Sequence, residues 1–318
     1  MRFIDAAATR EALPFERLVP ALASLFAAGC EVPPRHVHAL PAAEGGSGGT
    51  VLIMPAWQAG AYLGIKTVAI FPGNAARGLP GLHSTYVLYD AQTGAPLAQI
   101  DGDEITSRRT AAASALAASY LAPADARSLL VVGAGRVAEL LPAAYRAVRP
   151  LETVRVWGRN AAQADALVER LRAQGIAAEA AADLPTAVAQ ADIVSCATLA
   201  TAPVVQGAWL APHAHLDLIG SFTPAMREAD DACFGGGARL YVDTPEALQK
   251  SGELLGPMAR GVFAAADVAG TLADLARGTV PGRGEGGGRT VFKSVGTALE
   301  DLAAAVLVYE QTGGRRPG

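Results

Sequence analysis

A chain of 318 residues is long enough for two domains, each with its own core. Its formal net charge is −4 and its basic residues are dispersed, which excludes a nucleic-acid-binding surface. Although 51% of the residues are hydrophobic, much of that share is alanine, and no apolar run is long enough to cross a bilayer.

Residues 1–5 lack the apolar stretch of a secretion signal, and Cys30, Cys196 and Cys233 are widely spaced, odd in number and read as reduced. A cytoplasmic, enzyme-sized protein is expected. The histidine pairs His36/His38 and His213/His215 have no cysteines nearby, so no metal site is expected.

Residues 1–28 read as a strand and an amphipathic helix. The polar stretch Pro33-Pro34-Arg35-His36 follows, then Glu44-Gly45-Gly46-Ser47-Gly48-Gly49 as a flexible turn. Short strands are predicted over residues 51–54, 62–70, 84–90 and 96–101, separated by Gly, Pro and Asn clusters, which describes an antiparallel β-rich region. Within the second of these strands Lys66 is a lone cation among apolar residues. Either it forms a structural ion pair, or its enclosure depresses its pKa and it exchanges a proton near neutrality.

Before the alanine-rich run 111–120 stands Ile105-Thr106-Ser107-Arg108-Arg109-Thr110, which places Ser107 at an N-cap and Arg109 in the first helical turn. A cation there opposes the helix dipole and needs a negative partner. A substrate carboxylate, a cofactor phosphate, or a surface pair with Asp103 or Glu104 would each serve.

The apolar run 128–132 leads into Gly133-Ala134-Gly135-Arg136-Val137-Ala138, a strand entering a dinucleotide-binding loop. Gly133 permits the tight turn, Gly135 lets backbone approach a pyrophosphate, and Ala138 allows the next helix to pack closely. That helix carries Val137, Leu140, Leu141 and Ala144 at helical spacing, with a kink expected at Pro142. A second strand is predicted at 153–157, a helix at 161–173, and further strands at 192–197, 215–220 and 240–243. Strands alternating with helices from 128 to 243 describe a doubly wound α/β sheet. At the tip of its second strand stands Trp157-Gly158-Arg159-Asn160, with no carboxylate to bind ribose hydroxyls, so Arg159 favours NADP(H) while NAD(H) stays admissible. A glycine-rich stretch at 281–288 precedes Thr290-Val291-Phe292-Lys293-Ser294-Val295-Gly296, a closing helix over 297–309 and a disordered tail over 313–318.

Val32-Pro33-Pro34-Arg35, Gly64-Ile65-Lys66, Arg109-Thr110-Ala111-Ala112-Ala113, Gly133-Ala134-Gly135 and Val291-Phe292-Lys293-Ser294-Val295-Gly296 occur in one order across almost the whole chain. In that order the sequence resembles the ornithine cyclodeaminase/μ-crystallin family. The resemblance implies a Rossmann domain over 116–289 and a substrate-binding and dimerisation domain from 1–115 and 290–318, with a homodimer as the assembly. It also implies that Arg35, Lys66 and Arg109 surround a substrate carboxylate, with Lys66 catalytic. Ser84, Thr85, Arg109, Thr110, Arg136, Val137, Arg159, Asn160, Thr198 and Ser294 are implied to lie along the nicotinamide cofactor.

Within the family, cyclodeaminases carry an aspartate in the loop that here reads Gly220-Ser221-Phe222-Thr223-Pro224, and Phe222 stands at its position. Phenylalanine neither pairs with an ammonium nor accepts a proton. The loop looks more like that of the family's ketimine reductases, which reduce Δ1-pyrroline-2-carboxylate and Δ1-piperideine-2-carboxylate to L-proline and L-pipecolate. The expected function is therefore NADPH-dependent reduction of a cyclic imino acid. The alternatives are ornithine cyclodeaminase or alanine dehydrogenase activity, and an NADPH-dependent ligand-binding protein of μ-crystallin type.

Overall fold

The computed structural model describes residues 1–42, 48–284 and 287–315. Positions 44–47 of the expected flexible turn, 285–286 of the second glycine-rich stretch and 316–318 of the expected disordered tail lie outside the described residues. Two compact units form, one from Met1–Arg109 with Thr297–Gly318 and one from Thr110–Gly296.

The first unit contains strands β1 (Arg2–Ile4), β2 (His36–Leu40), β3 (Gly49–Trp57), β4 (Tyr62–Ile70), β5 (Leu82–Asp90) and β6 (Pro96–Asp101), with helices α1 (Ala6–Ala12) and α2 (Phe15–Ala28). Helix α3 (Gly102–Leu121) begins here, and the closing helix, α10 (Ala298–Gln311), returns to it. The strands form one sheet in the order β1-β6-β5-β4-β3-β2, antiparallel except where β1 meets β6. Alternation along β4 sends Tyr62, Gly64, Lys66 and Val68 to the buried face, which α10 covers. Lys66 therefore occupies a position that periodicity reserves for a core side chain.

Helix α3 starts five positions earlier than Ser107. The Asp101 Oδ1 accepts the Glu104 N–H at 2.8 Å, so Asp101 is the cap, with Asp103 and Glu104 in a first turn where acids suit the dipole. Ser107 lies inside the helix and donates its hydroxyl to the Asp103 carbonyl at 2.8 Å. Arg109 is consequently about two turns in, and the dipole does not explain its need for a partner.

The second unit is built on β7 (Ser128–Val132), β8 (Thr153–Trp157), β9 (Ala178–Ala180), β10 (Ile193–Cys196), β11 (His215–Leu218), β12 (Arg239–Val242), β13 (Val268–Thr271) and β14 (Thr290–Lys293). All pair in parallel, in the order β13-β12-β14-β11-β10-β7-β8-β9. The connecting helices are α4 (Arg136–Arg146), α5 (Ala161–Ala173), α6 (Leu184–Ala189), α7 (Ala247–Lys250), α8 (Gly252–Ala259) and α9 (Leu272–Arg277). This is a Rossmann-type sheet whose strand order reverses between β7 and β10, the place where such sheets bind ligands. Helix α4 runs through Pro142 as one element.

Strand β14 pairs with β11 on one side and β12 on the other, so it belongs to the parallel sheet. The sequence division at 289/290 had given it to the other domain. The edge strands β9 and β13 were not read from sequence, because Ala178-Glu179-Ala180 has no branched side chain and the two in Val268-Ala269-Gly270-Thr271 are separated by Ala-Gly, which breaks the run that marks a strand. Among the described residues no helix is long and apolar enough to cross a membrane.

Candidate active site

In the second unit the loop after β7 has the stereochemistry of a dinucleotide-binding turn. Gly133 adopts φ +128°, and a Cβ there would lie 2.6 Å from the Ala197 carbonyl oxygen, so glycine is required on both counts. Gly135 is different: a Cβ there would meet nothing within 4 Å. It is the N-cap of α4 and supplies no side-chain cap, which leaves the first-turn N–H groups for an anion. Ala138 is fully buried beneath. A cavity of about 490 Å³ opens here, lined by Gly133, Ala134, Gly135, Gln163, Ala197 and Thr198 among others. That volume is within the range of cofactor sites, and a bare helix end with open space above Gly135 fits a dinucleotide diphosphate.

Around this cavity the other predicted contacts are distributed as follows. Arg136 is exposed at the start of α4, with half-buried Val137 beside it. Arg159 is exposed immediately beyond β8, and Asn160 caps α5 through its Oδ1, which accepts the Gln163 N–H at 3.3 Å. Thr198 follows β10 and directs both its N–H and its hydroxyl to Glu228. Ser294 follows β14, separated from β7 by β11 and β10, and its hydroxyl is held by Asp243 at 3.0 Å. Phe222 is half-exposed in the loop after β11.

The first unit holds a buried cluster of four charges. The Lys66 Nζ is 2.6 Å from the Asp301 Oδ2, the Arg109 Nε donates to the Asp301 Oδ1 at 3.0 Å, and the Arg109 Nη1 donates to the Glu300 Oε2 at 2.6 Å. The Lys66 Nζ also donates to the Thr106 Oγ1 at 3.4 Å, and Thr106 shares a face of α3 with Arg109. Burial pushes Lys66 down to about 8 against the opposing pull of Asp301. Burial works against the charge on Arg109 too, but Asp301 and Glu300 outweigh it and raise its pKa, while the two cations hold Asp301 below the usual carboxylate range despite its burial. At neutral pH Lys66, Arg109 and Asp301 carry charge, and Glu300 and Asp301 sit in the first turn of α10, where the dipole favours acidic residues.

The partners expected for Arg109 on the surface are occupied elsewhere. Asp103 accepts the Ser84 hydroxyl at 2.7 Å, and Glu104 pairs with Arg10. The Nη2 donors of Arg109 take part in none of its bonds to the two acids, which leaves an edge of the guanidinium for a carboxylate. Tyr86 faces Lys66 across the sheet, and its hydroxyl occupies the space a Cβ would fill at Gly64, only 1.9 Å away. The glycine of Gly64-Ile65-Lys66 is thus explained by Tyr86. That hydroxyl is buried and, among the described residues, has no hydrogen-bond partner; burial holds it well above its ordinary pKa, so it stays protonated.

Arg35 is half-buried immediately before β2. His36 pairs with Ile53, and Ile53 with Thr67, so one further residue of the same register puts Arg35 on the row of Met54, Lys66 and Tyr86. It is two strands from Lys66, about 10 Å of backbone. Ser84 and Thr85 are on β5, Thr85 exposed, and Thr110 is half-buried on α3 after Arg109.

The family model for the ornithine cyclodeaminase/mu-crystallin family matches residues 20–315. The chain belongs to that family. A Δ1-pyrroline-2-carboxylate reductase of Paracoccus denitrificans is 46% identical over 281 residues, covering 85% of this chain and 88% of that protein. Among solved structures, the Thermococcus litoralis Δ1-pyrroline-2-carboxylate reductase in complex with NADH and L-proline superposes with a TM-score of 0.88 at 31% identity, covering 98% of this chain and 97% of that one. An archaeal alanine dehydrogenase dimer with bound NAD gives 0.88 at 27% identity over 99% and 98% of the two chains.

For this member of the ornithine cyclodeaminase/mu-crystallin family, sequence reasoning found the cations and missed the acids that hold them. Glu300 and Asp301 are adjacent charges opening an otherwise apolar helix, Ala298-Leu299-Glu300-Asp301-Leu302-Ala303-Ala304, and that contrast was the available signal. Lys293, in the run Thr290-Val291-Phe292-Lys293, is the same kind of anomaly as Lys66; it is fully buried and donates to the Leu218 carbonyl at 2.8 Å.

Proposed function

We propose that the chain reduces cyclic ketimines, Δ1-pyrroline-2-carboxylate to L-proline and Δ1-piperideine-2-carboxylate to L-pipecolate, with NADPH preferred over NADH. The observation that carries this reading is the buried Lys66–Arg109 cluster. It offers cationic donors to one carboxylate, while both of its acids are already engaged by Lys66 and Arg109. A diamine substrate such as ornithine needs a further acid for its second ammonium, and the loop position where cyclodeaminases carry one is Phe222. The related reductases of Paracoccus and Thermococcus support the same chemistry.

In this reading Arg35 and the Nη2 edge of Arg109 hold the substrate carboxylate and fix the ring. Lys66, the catalytic residue, protonates the imine nitrogen, which makes C2 more electrophilic. A bound nicotinamide supplies the hydride that C2 receives. The α4 N-terminus and Arg136 hold the diphosphate, and Arg159 pairs with a 2′-phosphate, whose geometry suits a guanidinium fork. Within the second unit Gly133, Gly135, Val137, Asn160, Thr198, Ser294 and Thr110 line the remainder of the cofactor.

Purified protein mixed with NADPH and either ketimine is expected to lose absorbance at the nicotinamide band and to yield the cyclic amino acid. Release of ammonia and proline from L-ornithine, with both ketimines left unreduced, would overturn the assignment in favour of a cyclodeaminase. Stable ligand binding with no turnover of any substrate would favour the binding protein.

A homodimer is proposed as well. Register places Ile53, Pro55, Ile65, Val87, Trp57 and Leu63 on the face of the first unit's sheet opposite Lys66, all half-exposed and apolar. Such a patch marks an association surface, and the related archaeal alanine dehydrogenase is a dimer. Ile53→Asp, which sets a charge in the middle of that face, is expected to halve the mass measured by light scattering while leaving the circular dichroism unchanged. A variant that stays dimeric would place the interface elsewhere.

A further inference from the structure

We infer that Glu228 is a positioning residue for the dinucleotide site, its carboxylate tying the loop after β10 to the loop after β11 and so holding Thr198 at the mouth of the cofactor cavity. The inference rests on the dinucleotide reading of that cavity. The Glu228 Oε1 accepts the N–H of Thr198 at 2.7 Å and its hydroxyl at 2.8 Å, and the Oε2 accepts the Gly220 N–H at 2.8 Å. The two loops touch where they are tied: a Cβ on Gly220 would lie 2.0 Å from the Thr198 carbonyl oxygen and 2.5 Å from the Glu228 Oε1. Ala197, Thr198 and Leu199 form the wall of the cavity that faces Gly133 and Gly135. Glu228 is itself held from behind, because Glu253 on α8 accepts the Glu228 N–H at 2.7 Å and the Ala229 N–H at 2.9 Å.

A carboxylate facing two backbone N–H groups and a hydroxyl does this work best when ionised. Protonation removes charge from both acceptor oxygens and weakens the bonds from the Thr198 and Gly220 N–H groups, which can only donate, although the Thr198 hydroxyl can turn to accept. Burial pushes Glu228 up to about 7; Lys293 on β14 pulls it down and Glu253 pushes it further up, and the buried Cys196 thiol on β10 stays neutral. Cofactor affinity should therefore weaken as pH falls through about 7.

Glu228→Gln keeps the shape and fixes a donor where the ionised acid has only acceptors, so it imitates the protonated form at every pH. With NADPH fluorescence as the probe, the variant is expected to bind about tenfold more weakly than the unmodified protein near pH 8, a difference of roughly 1.4 kcal/mol. The ratio of the two dissociation constants should shrink toward one near pH 6, and titration of the NADPH 2′-phosphate cancels in that ratio. A purely structural role would weaken binding by the same factor throughout, and a constant ratio or an unchanged dissociation constant would overturn the inference. Should the variant fail to fold, NADH, which has no phosphate monoester, reads the same property on the unmodified protein: its dissociation constant should rise several-fold from about pH 8 to pH 6, and a flat profile would overturn the inference. A protein that folds and binds no dinucleotide at all would instead refute the cofactor reading, and this inference with it.

Discussion

Lys66→Met is expected to lower kcat for ketimine reduction by about 10²- to 10⁴-fold, the range that a positioned proton donor contributes, with NADPH affinity unchanged. The methionine keeps most of the side-chain volume inside the sheet of the first unit but cannot donate a proton to nitrogen. Arg109 still pairs with Glu300 and Asp301 in the variant, so the carboxylate clamp survives in part, and KM for the imino acid should rise less than kcat falls. The pH profile offers an independent check. The group is a cation whose pKa is held down at about 8, so the protonated form prevails below that value and is lost as pH rises through it. In the unmodified protein kcat/KM should fall above about pH 8, and in Lys66→Met that alkaline limb should be absent. A ligand-binding protein would show neither effect, so turnover that survives the substitution would remove Lys66 from the mechanism.

Much of the parallel sheet was legible because its strands are runs of Val, Leu and Ile, and its cofactor turn depends on local stereochemistry at Gly133 that only glycine satisfies. The β14 assignment failed for a topological reason: a strand late in the chain inserts between two earlier ones, and nothing local in Thr290-Val291-Phe292-Lys293 says which sheet it joins. Lys66 and Arg109 stood out as cations in apolar company, yet their environment was misjudged. The start of α3 was set at Ser107 when Asp101-Gly102-Asp103-Glu104 carries the stronger cap, and the counter-charges come from α10, some 190 positions away, as the separations of 191 and 192 between the bonded residues show. Pairings of that range follow from tertiary packing, and no single stretch of sequence encodes them.

Asp301→Asn separates the charge of this cluster from its shape. The carboxamide oxygen still accepts from the Arg109 Nε, so packing and much of the hydrogen bonding remain, but the largest influence that keeps buried Lys66 protonated is gone. Burial then acts on Lys66 with little opposition, and its pKa falls further below its present value of about 8. The expected result is an alkaline limb of kcat/KM displaced to lower pH by at least about one unit, equivalent to roughly 1.4 kcal/mol of lost interaction with the charged form. Near pH 8 activity should therefore fall about fivefold or more, and it should recover substantially near pH 6, where the lysine is protonated again. Recovery is the decisive outcome, because a variant inactive through misfolding has no reason to regain activity on acidification. An unshifted limb would mean that Asp301 orients Arg109 alone, and that the proton reaches the imine nitrogen from a group other than Lys66.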